Sequence, residues 1–180
     1  MMTSYQRLKT FKLPTFEELP DIGLFSQQVV DYVNYTLEPI LFEGEALTAT
    51  MIQNYVKLEL VPAAHKRKYY ARHIAYLISL TLLKQVIPTK NFQLGVTSMI
   101  ERLDQTERQA YDNFVQVLSV HINHLGSAIE SGLSTDHYHF HAYNTTKELL
   151  ALHLVSQAYV NILIVEKILN HDGLLKEILE

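Results

Sequence analysis

The residues best suited to chemistry gather in one basic window, "LTATMIQNYVKLELVPAAHKRKYYARHIAYL", residues 47–77. The side-chain amides of Gln53 and Asn54 can each donate and accept hydrogen bonds, as reading the edge of a base requires. The cations that follow suit phosphate oxygens, which position a protein on nucleic acid. The window therefore predicts a surface that contacts double-stranded DNA. Its candidate contacts are Thr50, Gln53, Asn54, Lys57, Lys66, Arg67, Lys68, Tyr69 and Arg72.

The charge of the chain is divided unevenly. Its formal net charge is −4, yet residues 48–102 carry eight Lys or Arg against two Asp or Glu. Residues 1–47 carry three Lys or Arg against seven Asp or Glu, and residues 103–180 carry four Lys or Arg against ten Asp or Glu. Because an anionic partner meets the local field, an acidic total is compatible with DNA binding. A solvated basic face without a partner is the alternative.

Histidines form a second cluster that could do chemistry, as metal ligands. Three of them alternate in "HYHFH", and others lie on the helices predicted before and after it. The chain has no Cys, and Asp136 is the only acidic residue beside the cluster. Alternating histidines in a loop are more often exposed polar residues, so we expect no metal and no cofactor. The residues concerned are His121, His124, His137, His139, His141 and His153.

Other classes of function find less support in the sequence. The motifs G-x-S-x-G, H-E-x-x-H and the P-loop do not occur, so an enzyme is not predicted. The most apolar run, residues 149–165, contains four polar side chains and is shorter than the roughly 20 residues of a spanning helix. The N-terminus has no signal-peptide pattern, and the absence of Cys suits a cytoplasmic location.

Periodicity predicts an almost wholly helical N-terminal half. Apolar residues recur at helical spacing over residues 25–41, and Thr48 or Thr50 caps a short helix that ends before Pro62. The charged stretch "KRKYY" reads as an exposed hairpin or wing. From Arg72 onward apolar residues occur nearly all round, so this helix should be central to the core. Pro88 ends it, and Thr89 starts another helix to about residue 102.

The C-terminal half reads as two long helices. The first covers about residues 104–129, and the capping box Thr145–Glu148 opens a second that reaches about residue 170. The second helix is apolar around most of its circumference, more than one partner helix can cover. We therefore expect a homodimer, with Leu163 in the contact between copies.

At the basic window the chain resembles the MerR-type DNA-binding domain, a winged helix-turn-helix. In both, a helix ending in an aromatic residue is followed by an apolar stop, a proline and a basic ribbon that ends in Tyr. These places are held here by Tyr55, the segment 60–62, Arg67 with Lys68, and Tyr69, although Glu59 stands where the family usually has Gly. The resemblance implies that the short helix enters the major groove while the wing contacts phosphates.

A longer stretch resembles the bacterial family called domain of unknown function 1836, the YkrK-like proteins. The blocks "KLPTFEELPDI", "MIQNYVK" and "KRKYYARHIAYL" carry this likeness over residues 5–100. It implies a transcriptional regulator, with room for a small-molecule effector of unknown identity. We thus expect an all-α protein with an arm (1–24), a winged helix-turn-helix (25–102) and a helical hairpin for dimerisation or an effector (103–180). A helical protein-interaction module that has lost DNA binding is the alternative.

Overall fold

The computed structural model describes residues 8, 10–130 and 149–169, and this part of the chain is all-α, as predicted. Antiparallel pairing within it is limited to two isolated bridges, Leu24 with Tyr69 and His65 with Lys68. None of its helices is both long and apolar enough to cross a membrane. The regular elements are a 3-10 turn (Phe16–Glu18) and the helices α1 (Ser26–Leu37), α2 (Ala49–Lys57), α3 (Ala71–Leu83), α4 (Thr89–Arg102), α5 (Glu107–Glu130) and α6 (Leu150–Leu169).

Helix α3 lies at the centre of the fold. Eleven of its thirteen residues are buried, because its sequence is apolar on almost every side. Helices α1, α4, α5 and α6 and the 3-10 turn all pack against it, and α2 packs on α1. The predicted central position of this helix is thus confirmed, and so is the start of α4 at Thr89. Helix α3 ends at Leu83, earlier than the predicted stop at Pro88.

The segment before α1 is docked on α5. Leu13 and Leu19 are buried, and the Tyr111 hydroxyl donates to the Pro14 carbonyl at 3.0 Å. The backbone N–H of Phe16 donates to an Asp112 carboxylate oxygen at 2.8 Å. The arm therefore adds side chains to the same core as the helices. The division of the chain at residues 24 and 102 stays a prediction.

The connection between α1 and α2 is held from both sides. The Asn34 amide donates to the Leu47 carbonyl at 2.9 Å and accepts the Leu47 N–H at 2.8 Å. From α6, the Tyr159 hydroxyl donates to the Ile40 carbonyl, and the Tyr159 ring stacks on Phe42 with centroids 5.0 Å apart. The connection spans residues 38–48, longer than the roughly three- or four-residue turn of a helix-turn-helix. It fixes where α2 begins.

Helices α5 and α6 pack along each other, with buried Phe114 and Leu118 on one helix and Tyr159 and Val160 on the other. Leu163 is 0% exposed, so the prediction that it lies in a contact between copies is wrong. When a helix is apolar around most of its circumference, its sequence does not distinguish the side chains that face its own chain from those that face another copy. The capping box at residues 145–148 lies outside the described residues.

Both ends of α2 are capped. The Thr48 hydroxyl accepts the N–H of Met51 at 3.2 Å, which identifies Thr48 rather than Thr50 as the N-cap. At the other end the N–H of Leu60 donates to Tyr55 O at 2.9 Å and that of Glu59 to Val56 O at 3.0 Å. This is a Schellman motif, which needs a left-handed residue, and Glu59 has φ 57°.

We expect Glu59→Gly to raise the free energy of unfolding by about 0.5–1 kcal/mol, because glycine adopts the left-handed conformation without a steric penalty. Urea denaturation followed by circular dichroism measures the change. Gln53→Gly, at an exposed position inside α2, is the matched control and should lower stability by about 0.5–1 kcal/mol. A loss of stability in Glu59→Gly would contradict the left-handed cap.

Candidate nucleic-acid interface

Helix α2 has one buried face and one polar, exposed face. Ile52 and Tyr55 are buried and hold the helix on the core. The candidate contacts Thr50, Gln53, Asn54 and Lys57 are all exposed. They follow one another at steps of three, one and three residues, which places them on the same side of a helix. Four of the predicted contacts therefore share one solvent-facing surface.

The basic stretch after α2 forms a minimal hairpin. His65 and Lys68 exchange backbone hydrogen bonds at 3.0 and 2.9 Å around a two-residue turn. The turn residues Lys66 and Arg67 have φ 48° and 64°, and positive φ at both positions defines a type I′ turn. Both side chains are exposed. The predicted hairpin is confirmed, and two cations stand at its tip.

The end of the arm pairs with this hairpin. Leu24 and Tyr69 exchange two backbone hydrogen bonds, each 2.8 Å long. A Cβ added to Gly23 would lie 2.6 Å from Lys68 Cδ, so a larger residue here would displace the Lys68 side chain. The Lys68 ammonium lies 5.6 Å from the centre of the Phe25 ring, within range of a cation–π interaction. The arm thus braces the hairpin on its Lys68 side.

His73 fixes the base of the hairpin to the core. Its Nδ1 accepts the N–H of Tyr70 at 3.0 Å, which leaves Nε2 to donate to the Ala63 carbonyl at 3.1 Å. The ring also meets Tyr69 edge to face, with centroids 5.5 Å apart. The sequence reading missed this residue. Its signal was the spacing Tyr70–His73, in which a side chain at the third helical position reaches back to the N-cap.

Two of the nine candidate contacts are engaged within the protein and are not presented at the surface as predicted. Tyr69 is 8% exposed, with its ring against His73 and not on the hairpin surface. Arg72 donates from Nε and Nη2 to Glu107 on α5, at 2.5 and 2.6 Å. The Tyr76 hydroxyl binds the same carboxylate at 2.9 Å. Arg72 would have to leave Glu107 to reach a phosphate.

The histidines of the helical hairpin form a relay of hydrogen bonds. Gln157 donates to Asn161 at 2.7 Å, which turns its amide oxygen toward His121. His121 Nδ1 then donates to this oxygen at 3.0 Å, and its Nε2 accepts from His153 Nδ1 at 3.2 Å. Burial lowers the pKa of both His121 and His153. The hydrogen bonds of the relay and the lowered pKa values therefore both favour neutral imidazole rings.

A metal would need a further ligand at this position. Among residues 8, 10–130 and 149–169, no group of three or more His, Cys, Asp or Glu is arranged to hold one. His137, His139 and His141 lie outside the described residues.

The fold and the surface define an all-α protein with an exposed amide-bearing helix and a basic hairpin. The chain belongs to the family described as Domain of unknown function (DUF1836), which matches residues 14–114. The match covers the second half of the arm, α1, the candidate interface, α3, α4 and the start of α5. No curated protein and no solved structure matches the chain.

The relay predicts a loss of stability in mild acid. A histidine whose folded-state pKa is lowered binds fewer protons in the native than in the unfolded chain, so stability is complete above the unfolded pKa of about 6.5 and declines below it. We expect His121→Gln to flatten the decline of unfolding free energy between pH 7 and 5, by up to about 1.4 kcal/mol per pH unit.

Urea titrations at several pH values measure that slope. Gln116→Ala, at an exposed position without a titratable side chain on the same helix α5, serves as the control and should leave the slope as it is in the wild type. Equal slopes in the wild type and His121→Gln would show that His121 does not titrate differently on folding.

Proposed function

We propose that the protein is a transcriptional regulator that binds double-stranded DNA, with α2 in the major groove and the hairpin as a wing on the phosphates. The observation that carries the proposal is the polar face of α2. Thr50, Gln53, Asn54 and Lys57 lie together in solvent on a helix whose other face is anchored in the core. Amides on a rigid helix suit direct reading of base edges.

The hairpin supports the same function. Lys66 and Arg67 are exposed at its tip in left-handed conformations, which cost about 1–2 kcal/mol per residue outside glycine. Asparagine and glycine are the residues that usually fill such a turn. Strain of this kind is characteristic of functional surfaces, and two cations at the tip provide a reason for it. In this proposal the arrangement is MerR-like, with a longer connection before the groove-reading helix.

A second copy is part of the proposal, because a single wing and helix would contact only half of a palindromic site. Helix α6 offers the surface for it. An apolar stripe along its exposed side follows steps of four, four, four, three and four residues, which keeps its members on one face of the helix. Two copies related by a twofold axis present the same stripe to each other. The stripe consists of Leu150, Leu154, Ala158, Ile162, Val165 and Leu169.

The alternative function is a helical interaction module without DNA binding. The α6 stripe would then receive a different protein, and the basic hairpin would be a solvated surface. Salt dependence separates the two functions, since every phosphate contact releases counterions from DNA.

The hairpin allows a test that leaves the fold intact. We expect the double substitution Lys66→Asn with Arg67→Gly to weaken binding to any duplex and to flatten the plot of log affinity against log salt by about 1.8 units, because two phosphate contacts are lost. Asn-Gly is the preferred pair for a type I′ turn, so the unfolding free energy should be unchanged or higher. Fluorescence anisotropy with labelled duplex at several salt concentrations measures the slope.

Two controls complete this test. Lys90→Asn removes an exposed cation on α4 and should leave the slope unchanged. Gln53→Ala should keep the slope but reduce discrimination between a selected site and random duplex by about 1–3 kcal/mol. Absence of salt-dependent binding by the wild type, or an unchanged slope in the double variant, would contradict DNA binding and favour the interaction module.

The stripe on α6 gives a separate prediction. We expect Leu154→Asp with Ile162→Asp to convert dimers into folded monomers, because these side chains are 51% and 44% exposed and a charge there opposes contact between copies. Sedimentation equilibrium measures the mass. Tyr35→Asp, at an exposed aromatic on α1, is the control and should remain dimeric. A monomeric wild type at micromolar concentration would contradict the dimer.

A further inference from the structure

A cavity of about 450 Å³ lies between α3, α4 and α5, and the first turns of α6 close one side. Its volume falls within the roughly 300–1,000 Å³ of small-molecule sites. Apolar side chains from all four helices form most of its wall. Those that matter here are Leu83, Phe92, Met99, Phe114 and Leu152.

Helix α4 covers this cavity and is poorly packed. Phe92 is its only buried side chain in the described part of the chain, and Val96 and Met99, which line the cavity, are only half-buried. Gly95 and the β-branched Val96 and Thr97 occupy the middle of the helix, where they favour helix formation weakly. An apolar face over an empty space loses the dispersion contacts that normally hold a helix. An apolar guest would restore them.

One end of the cavity is polar. Arg72, Tyr76 and Glu107 line it and are joined by the ion pair and hydrogen bond described above. Burial raises the pKa of Tyr76 to about 12, so its hydroxyl stays protonated as a donor to Glu107. The ion pair uses two of the five N–H groups of the guanidinium. The Glu107 carboxylate already accepts from three donors, so the guanidinium N–H groups that it leaves unused are the groups that this end offers to a ligand.

We infer that the cavity binds a small, mainly apolar molecule that ends in a carboxylate or another hydrogen-bond acceptor. The apolar part fills the space beneath α4, and the acceptor meets the Arg72 guanidinium. A cationic end is disfavoured, because it would lie beside the Arg72 cation and compete with it for the Glu107 carboxylate. The site is independent of DNA binding.

Decanoate and decylammonium, two molecules with the same chain and opposite charge, test this inference. We expect decanoate to bind with one-to-one stoichiometry and a dissociation constant below about 1 mM in isothermal titration calorimetry. It should also raise the melting temperature, as a ligand of the native state does. Decylammonium should bind at least tenfold more weakly. Equal affinities for the two would overturn the acceptor end, and no binding of decanoate would overturn the site.

Substitutions that fill the cavity locate the binding. Ala110 and Ser79 are buried residues of its wall, so Ala110→Leu and, separately, Ser79→Leu place extra methyl groups in the empty space. Each should reduce decanoate affinity at least tenfold with a melting temperature that is unchanged or higher. Ala46→Leu, at an exposed position before α2, is the control and should bind as the wild type does.

A measurement on the wild type keeps the inference falsifiable if the filled variants do not fold. Nuclear Overhauser contacts from the decanoate chain to the Met99 methyl group and the Phe92 ring are expected. Contacts confined to the α6 stripe, or wild-type affinity in a folded Ala110→Leu variant, would overturn the site.

Discussion

The burial of α3 is the constraint on which the rest of the structure depends. A helix with apolar side chains around nearly its whole circumference is stable only where neighbours cover every side. Helices α1, α5 and α6 and the 3-10 turn of the arm supply most of this cover. The segments bonded to α3 are consequently held in a defined position. His73, in its first turn, bonds to the carbonyl of Ala63 and so ties the base of the hairpin to the buried central helix.

Of the four non-glycine residues with positive φ in the described part of the chain, Asp104 precedes α5 and the other three lie together on the solvent side of this centre. Glu59, Lys66 and Arg67 all have positive φ, and all three are exposed residues between α2 and α3. Unfavourable conformations persist only when the surrounding structure determines them. Here the Schellman motif determines Glu59, and the backbone pairings of His65 with Lys68 and of Leu24 with Tyr69 determine the turn. The molecule thus presents a polar helix and a hairpin of defined backbone conformation at its surface.

Helix α6 links distant parts of the chain through polar contacts that are few and specific. Tyr159 and Glu166 bind the connection that precedes α2, through the carbonyl of Ile40 and the N–H of Glu43, the latter at 2.8 Å. His153 joins the relay to α5. The same helix carries the apolar stripe on its opposite side. By contrast, α4 is anchored by Phe92 and lies over a cavity. The two C-terminal helices, α5 and α6, are therefore tightly packed where they support α2 and loosely packed where they meet α4.

Local patterns in the sequence determined the helices, the start of α4 after Pro88, the hairpin and the polar face of α2, because helical periodicity and turn chemistry depend on residues a few positions apart. Only the tertiary structure decided which partner each side chain meets. Arg72 reads as a phosphate contact until folding brings Glu107 to it, and Leu163 reads as an interface residue until α5 and the core cover it. Tyr69 turns inward because His73 lies beneath it. The cavity under α4 has no local signal, since a void arises from how four helices fit together.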